Sequence, residues 1–176
     1  LNMNDRYSKF ICSHFFKGVL DMEMRIANKN DIETIIKLRK EQLLDQGMHG
    51  TEDIDDNMRA YFKDVFDKGN IYQVFMIDNH QVVATGAVVF QQIPPAYDNH
   101  YGVEGYITNV YTTKLYRGLG LSKQILEELL LKCKTEQVNI VNLKASTQAE
   151  PLYSKIGFIK NVSSMTIELA NSEAKQ

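Results

Sequence analysis

An extended run that passes through a glycine turn into a helix constrains the fold of this chain most. Residues 110–112 favour a strand, Gly118 and Gly120 form the turn, and the apolar period from Leu121 onwards is that of a helix. Glycine has no Cβ, so the backbone can turn tightly here and direct several N–H groups towards one point. The positive end of the helix dipole also favours an anion at that point. The sequence therefore predicts a strand–turn–helix unit that binds a phosphate or pyrophosphate.

Residue spacing separates the known kinds of phosphate-binding turn. A dinucleotide-binding fingerprint needs a third glycine, whereas the string that starts at Gly118 has Lys123 in that place. No acidic residue follows a second strand about 20 positions on, as that fingerprint also requires. A P-loop needs four residues between its glycines, whereas one residue separates Gly118 from Gly120. The spacing therefore argues against the first class and excludes the second.

The loop resembles the acyl-CoA pyrophosphate loop of the GNAT superfamily of N-acyltransferases, whose pattern is Arg/Gln-x-x-Gly-x-Gly/Ala. The matching residues are Arg117, Gly118, Leu119, Gly120, Leu121 and Ser122. Ser122 stands where Gly or Ala is usual. Residues 145–158 resemble the superfamily's strand-to-helix segment that ends in Leu-Tyr-x-x-x-Gly-Phe, with Ala149 in place of a usual glycine. Both motifs occur in the right order, and the resemblance covers roughly residues 24 to 169.

The resemblance implies an α/β (α+β) GNAT fold, in which helices flank a mixed, mostly antiparallel sheet with two central parallel strands that splay apart. Hydrophobic periodicity predicts elements in that order. The predicted strands are 22–27, 71–77, 81–90, 103–112 and 138–145, the predicted helices are 31–45, 51–67, 121–135 and 149–156, and a closing hairpin is predicted at 157–169. We expect residues 24–172 to form one GNAT N-acetyltransferase domain and residues 1–23 to be an N-terminal extension of uncertain order.

Composition narrows the class of partner. The 176 residues are 44% hydrophobic, enough for one domain with a sizeable core. A net charge of −2 without a long Lys/Arg run argues against a nucleic-acid or anionic-membrane surface. Cys12 and Cys133 have no metal-ligand spacing, so we expect a reduced, cytoplasmic protein without a metal.

The resemblance implies that acetyl-CoA is the donor and that its acetyl group passes directly to a primary amine of an unidentified small molecule. Binding both reactants together supplies orientation. A backbone N–H near Val110 is expected to stabilise negative charge on the thioester carbonyl oxygen. The expected cofactor-binding residues lie on the strand, the loop and the second motif: Val110, Tyr111, Thr112, Arg117, Gly118, Leu119, Gly120, Leu121, Ser122, Ser146 and Tyr153.

Several of these side chains have a plain structural alternative. The resemblance assigns Tyr153 the protonation of the departing CoA thiolate, and the alternative is a tyrosine that only packs. Arg117 is expected to contact a CoA phosphate, or else to form an ion pair on the helix surface. Ser146 contacts the pantetheine or adenine side of CoA, or it caps the next turn.

An acceptor ammonium must lose a proton before its nitrogen attacks. Glu104 is the leading candidate base because it precedes the cofactor-contacting end of its strand; the alternative is a structural strand carboxylate. Tyr106, on the same strand face, either holds a relay water or belongs to the core. His49 and His100 are weaker candidates in predicted loops, where most histidines only titrate in solvent.

The sequence is least informative about the acceptor. Its contacts are expected mostly in residues 44–51 and 91–101. A polyamine is one hypothesis, because four acidic residues lie together: Glu52, Asp53, Asp55 and Asp56. A protein Nα-acetyltransferase is an alternative enzyme, and a non-catalytic acyl-CoA-binding sensor is an alternative of another class. The resemblance also allows a homodimer.

Overall fold

The computed structural model describes residues 22–161 and 165–167 of the chain. Their contacts divide the chain into two units, residues 1–144 and 145–176. The first unit contains strands and helices in the order β1 (Glu23–Ile26), α1 (Ile32–Asp45), α2 (Asp55–Asp67), β2 (Ile71–Asp78), β3 (Gln81–Gln92), β4 (Val103–Thr112), α3 (Leu121–Thr135) and β5 (Val141–Leu143). The second contains α4 (Glu150–Ile156).

The sheet of the first unit is mixed and mostly antiparallel, as predicted. Its strand order is β1-β2-β3-β4-β5, and each of the first four strands pairs antiparallel with the next. β5 pairs parallel with β4, because α3 carries the chain back across the sheet between them. This parallel register covers only Gly105–Ile107 of β4, opposite the three residues of β5.

Helices cover both faces of the sheet. On α3, the residues Leu121, Ile125, Leu129 and Cys133 are almost completely buried, which confirms the predicted apolar stripe. On the opposite face, α1 and α2 enclose a core around Ile35, Phe62 and Phe75. Since β2 and β3 are covered on both sides, their central residues read as continuous apolar runs rather than as an alternating pattern.

Three predicted elements differ from those observed. The second helix begins at Asp55 rather than at residue 51, because the Asp53 carboxylate accepts the Asp55 N–H (2.9 Å) and ends the preceding turn. β5 is three residues long rather than eight. Residues 158–161 and 165–167 are not in strands, so the closing hairpin is wrong there, while 162–164 and 168–169 lie outside the described residues. Ile159 and Ile167 are more than three-quarters exposed, so burial does not pin a register in this segment.

Candidate active site

The parallel pairing of β4 with β5 ends at Ile107, and β4 changes direction just beyond that residue. The last pair is Ile107 with Leu143. Thr108 then pairs with Ala87 of β3, whereas Tyr111 pairs with Thr85, so two residues of β4 oppose the single residue Gly86. Asn109 adopts a positive φ of 54° within this β-bulge. A bulge re-aims the strand, and past Ile107 the backbone edge of β4 has no β5 partner within the described residues.

The glycine turn after β4 holds a row of unpartnered backbone donors. Gly118 and Gly120 both lie in the left-handed region, with φ of 82° and 78°. Within the described residues, the five successive N–H groups of residues 118–122 donate to no protein acceptor. A run of free N–H groups at a helix N-terminus binds anions. The predicted pyrophosphate cradle therefore has the donor set that such a group requires.

Cationic side chains flank this turn and converge on Asp45 at the end of α1. Arg117 donates to the Asp45 carboxylate, Lys114 lies 3.1 Å from it, and the Tyr111 hydroxyl donates to it at 3.1 Å. Lys114, and then Arg117, hold the pKa of Asp45 below its usual range. Arg117 also donates to the Thr112 carbonyl at 3.0 Å, which fixes its side chain beside the turn. Arg117 thus forms the surface ion pair that was its alternative assignment, in a place where it can also reach an anion.

The remaining predicted cofactor-binding residues differ in whether their side chains or only their backbones are accessible to a ligand. The side chains of Tyr111 and Leu121 are buried in the core, so only their backbones are available to a ligand. Leu119 is half-buried, and the Ser122 hydroxyl shares a hydrogen bond of 2.9 Å with the hydroxyl of Thr112. This contact joins the end of β4 to the first turn of α3 and holds the turn closed.

A cavity of about 410 Å³ opens on the other side of the β4 bulge. Its lining residues come from α1, α2, the segment before α2 and β4: Arg39, Leu43, Ile54, Asn57, Met58, Tyr61, Phe62, Thr108 and Asn109. A second cavity, of about 430 Å³, shares Leu43 and Ile54 with it and includes Leu44, Met48, Gly50 and Thr51. Part of the predicted acceptor segment 44–51 therefore lines a cavity, whereas no residue of 91–101 lines either one.

Hydrogen bonds connect the first cavity directly to the bulge. The Arg39 Nη1 donates to the Gln42 amide oxygen at 2.9 Å. The Gln42 Nε2 donates in turn to the Val110 carbonyl at 3.1 Å. Gln42 is buried and spaced one helical turn from Arg39, so both residues lie on the inner face of α1. Gln42 therefore links Arg39, which lines the cavity, to the Val110 carbonyl at the bulge.

Glu104 lies near the start of β4, and the Asn142 Nδ2 donates to its carboxylate at 2.8 Å. Five residues of strand lie between it and Val110, a span on the order of 20 Å when extended. Tyr106 and Thr108 follow it on the same face at the strand period of two. Any proton path from the bulge to Glu104 must therefore run through a relay along this face, past Tyr106.

The second unit contains the other predicted residues. Tyr153 on α4 is buried, and its ring packs edge-to-face on Phe158 with centroids 5.8 Å apart. The Ser146 carbonyl accepts the N–H groups of Ala149 and Glu150 at 2.9 and 3.1 Å, so Ser146 closes the turn that leads into this helix, whose N-cap is Ala149. Gly157 ends the helix with a φ of 111°.

The structure distributes the other candidates over the surface. His49 and His100 are exposed and line neither cavity. Of the acidic cluster, Asp55 pairs with Lys40 and Asp56 with Arg59, so ion pairs within the protein already occupy these carboxylates. This arrangement favours a helix surface over a polyamine site.

Sequence reasoning missed Arg39, Gln42 and Asn109. The available signal was in α1, where a charged and an amide side chain occupy the same face as Ile35 and Leu38. The sequence gives no such signal for the bulge at Asn109, because one Asn among strand-forming residues does not reveal a change of strand register.

The comparisons with known proteins agree with this architecture. The sequence model of the acetyltransferase (GNAT) domain family matches residues 41–168. A crystal structure of a predicted acetyltransferase with acetyl-CoA from Clostridium acetobutylicum is 33% identical, with a TM-score of 0.81, over 84% of this chain and 96% of that one. A GCN5-related N-acetyltransferase from Ralstonia eutropha JMP134 matches over 85% of this chain and 99% of that one, with 18% identity and a TM-score of 0.76. No curated protein matches the chain.

The chain belongs to the GNAT acetyltransferase family, and it is an acyltransferase. The GNAT resemblance seen in the sequence and the mixed α/β fold are both confirmed. Within the part of the chain that the structure describes, no helix is long and apolar enough to cross a membrane, and no group of His, Cys, Asp or Glu side chains is arranged to hold a metal ion.

Proposed function

We propose that the chain transfers an acetyl group from acetyl-CoA to the primary amine of a small molecule, with both reactants bound at once. The observation that carries this proposal is the row of five N–H groups at residues 118–122 without a described protein acceptor, in the turn that joins the end of β4 to α3. This donor set fits a pyrophosphate, and the free edge of β4 fits the amide-bearing arm that follows it in CoA. The Clostridium relative, which is similar over nearly all of its length, was crystallised with acetyl-CoA.

Bound acetyl-CoA supplies a thioester, which an amine nitrogen can attack directly. Backbone N–H groups at the β4 bulge, near Val110, stabilise the negative charge that develops on the carbonyl oxygen. The ammonium first loses one proton, so that the neutral amine nitrogen can attack. As the C–N bond forms and the C–S bond breaks, the nitrogen loses a second proton and the CoA sulfur gains one, which leaves an amide and a thiol. No covalent link to the protein is required. The residues therefore act by orientation and charge stabilisation.

Two side chains are proposed for the proton transfers. Glu104 accepts the proton of the ammonium through a relay along the Tyr106 face, which its position in β4 requires. Tyr153 protonates the thiolate, a role supported by its place in the Leu-Tyr-x-x-x-Gly-Phe motif. The proposed cofactor-binding set includes Ser146, from the same motif.

Enzyme-dependent release of the CoA thiol, measured across amino acids, alkylamines, polyamines and short peptides, tests the proposal. We expect release with small amines and an N-acetylated product in equal amount. Acetylation of free peptide amino termini alone would instead identify a protein Nα-acetyltransferase. Binding of acetyl-CoA without release for any acceptor would identify an acyl-CoA sensor.

The state of Cys133 bears on the cellular location of the enzyme. Cys133 is a free thiol that is almost completely buried, and burial raises its pKa. We therefore propose a reducing, cytoplasmic location.

We also propose that residues 24–172 form the domain and that the protein is a homodimer. Sedimentation of the purified chain would test the homodimer.

A further inference from the structure

Arg39 is the one arginine in the described part of the chain that has no carboxylate partner. Arg25, Arg59 and Arg117 each pair with an Asp or Glu, whereas Arg39 donates only to the Gln42 amide. Arg39 is half-buried, and burial lowers the pKa of its guanidinium. A cation that has lost hydration without gaining a counter-ion is costly unless a ligand supplies one. Arg39 is therefore placed to receive an anion from outside the chain.

Asn109 adds a second unused donor to the same cavity. It is 95% buried, at 5% exposure, and its Nδ2 has no hydrogen-bond partner within the described residues. A buried amide N–H₂ without an acceptor is destabilising and rare in native structures. Its positive φ of 54° belongs to the bulge of β4. Asn109 and Arg39 both line the first cavity, and within the described residues neither side chain has a carboxylate partner.

The rest of the cavity fits a small apolar body. Among the described residues that line it, Arg39 is the only charged one and none carries a carboxylate, while Asn57, Thr108 and Asn109 are polar and neutral. The main walls are aliphatic and aromatic: Leu43, Ile54, Met58, Tyr61 and Phe62. About 410 Å³ is within the range of small-molecule sites. A polycation would meet a positive charge here and gain no counter-charge.

We propose that the acceptor amine carries a carboxylate next to an apolar side chain, as a free apolar amino acid does, and that Arg39 donates to this carboxylate. The proposal rests on the proposed acetyl transfer. A planar guanidinium fork matches a carboxylate in two parallel hydrogen bonds. A phosphate dianion would find one cation only, so a carboxylate is the better match.

The connection through Gln42 places the amine at the reacting end of the donor. Gln42 bridges the Arg39 guanidinium and the Val110 carbonyl, at 2.9 and 3.1 Å. In an α-amino acid, one carbon separates the carboxylate from the amine. A carboxylate held by Arg39 therefore leaves its amine close to the bulge, where the thioester carbonyl is expected. Gln42 acts as a positioning residue in this arrangement.

Matched substrates give the first test. Leucine, phenylalanine and methionine are compared with the amines that lack only the carboxylate, and leucine is also compared with leucinamide and leucine methyl ester. We expect kcat/KM to fall by about 30-fold or more when the carboxylate is removed or masked. Amines that react as well as their parent acids would overturn the proposal, and so would a preference for aminoalkyl phosphates.

Variants of α1 give the second test. Arg39→Gln is expected to raise KM for leucine by about 30-fold while KM for acetyl-CoA stays unchanged, and Arg39→Lys to restore part of the loss. Lys37→Gln is the matched control, because Lys37 is exposed on the same helix and forms no ion pair with any residue that the structure describes. Equal losses with leucine and with isoamylamine in Arg39→Gln would assign Arg39 a merely structural role.

A binding measurement separates this inference from the proposed function. Calorimetry with N-acetyl-leucine needs no turnover, and we expect Arg39→Gln to weaken its binding at least tenfold relative to Lys37→Gln. Weakened binding without thiol release for any amine would sustain the carboxylate site and refute the transfer. Thiol release from other amines, with no leucine-type ligand bound, would sustain the transfer and refute the carboxylate site.

Discussion

Replacing Gly120 by alanine tests the anion cradle at its backbone. Gly120 has a φ of 78°, a conformation that costs an L-residue about 1–2 kcal/mol. An added Cβ would meet no atom within 4 Å, so the effect is conformational and not steric. The free turn is exposed and can relax, whereas a bound pyrophosphate must hold the N–H groups together. The conformational cost of alanine at position 120 is therefore expected to weaken the binding of acetyl-CoA.

We expect Gly120→Ala to raise the Kd for acetyl-CoA by about 5- to 30-fold, which corresponds to that 1–2 kcal/mol. Isothermal calorimetry at constant ionic strength measures it. Gly69→Ala is the matched control, because Gly69 has a φ of 68° and equally open space but lies in the turn after α2. The two variants have the same conformational cost, and only one of them has the cradle.

The reasoning is refuted if Gly120→Ala and Gly118→Ala both bind acetyl-CoA within twofold of the wild-type Kd. It is also refuted if Gly69→Ala weakens binding as much as Gly120→Ala, because the loss would then report general destabilisation. The unfolding temperature of each variant, measured without ligand, shows how much strain the free turn retains, at about 2–4 °C per kcal/mol.

Three further changes test the sheet, the ion pairs and the second unit. Gly86→Ala places a Cβ 2.5 Å from Ile125 Cγ2, so we expect a loss of about 1–3 kcal/mol in unfolding free energy by urea titration, and no loss would contradict the packing. The pKa of Asp45 is lowered in the folded state, so its stabilising contribution is present above about pH 3.8 and is lost as the pH falls through the lower folded pKa. Asp45→Asn should therefore be less stable than wild type at pH 6, and the two stabilities should converge in acid. A stability difference that stays constant with pH would count against the ion pairs. Tyr153→Phe keeps the ring that packs on Phe158, so we expect acetyl-CoA binding to persist while kcat falls about 100-fold, and unchanged kcat would remove Tyr153 from the chemistry.

Local patterns in the sequence predicted the parts of the fold that depend on local chemistry. The apolar residues of α3 recur at the helical period, which marks a helix from the local sequence alone. Gly118 and Gly120 mark a turn in the same way, because glycine readily adopts a positive φ. The order of the five described strands followed from the resemblance, and the structure confirms it. Element ends were less predictable, as with the start of α2, where one Asp53 hydrogen bond decides the boundary.

The acceptor side of the site could not be predicted in the same way. Arg39 is one cation among twenty Lys and Arg residues, and only the fold shows that it faces a cavity without a carboxylate. Asn109 reaches the cavity wall through a register shift between β3 and β4, which depends on pairing with residues far away in the chain. The proposed donor site is a sequence motif, whereas the proposed acceptor site is formed by residues of α1, α2 and β4.

The most direct test of the account is to follow the acetyl group itself. The protein is incubated with isotopically labelled acetyl-CoA and leucine, and mass spectrometry then measures N-acetyl-leucine, free CoA and the intact protein. Direct transfer predicts labelled product and CoA in equal amounts, with the protein mass unchanged throughout. An acetylated protein that forms and decays with turnover would contradict direct transfer, and bound acetyl-CoA that yields no labelled product with any amine would contradict the enzyme assignment.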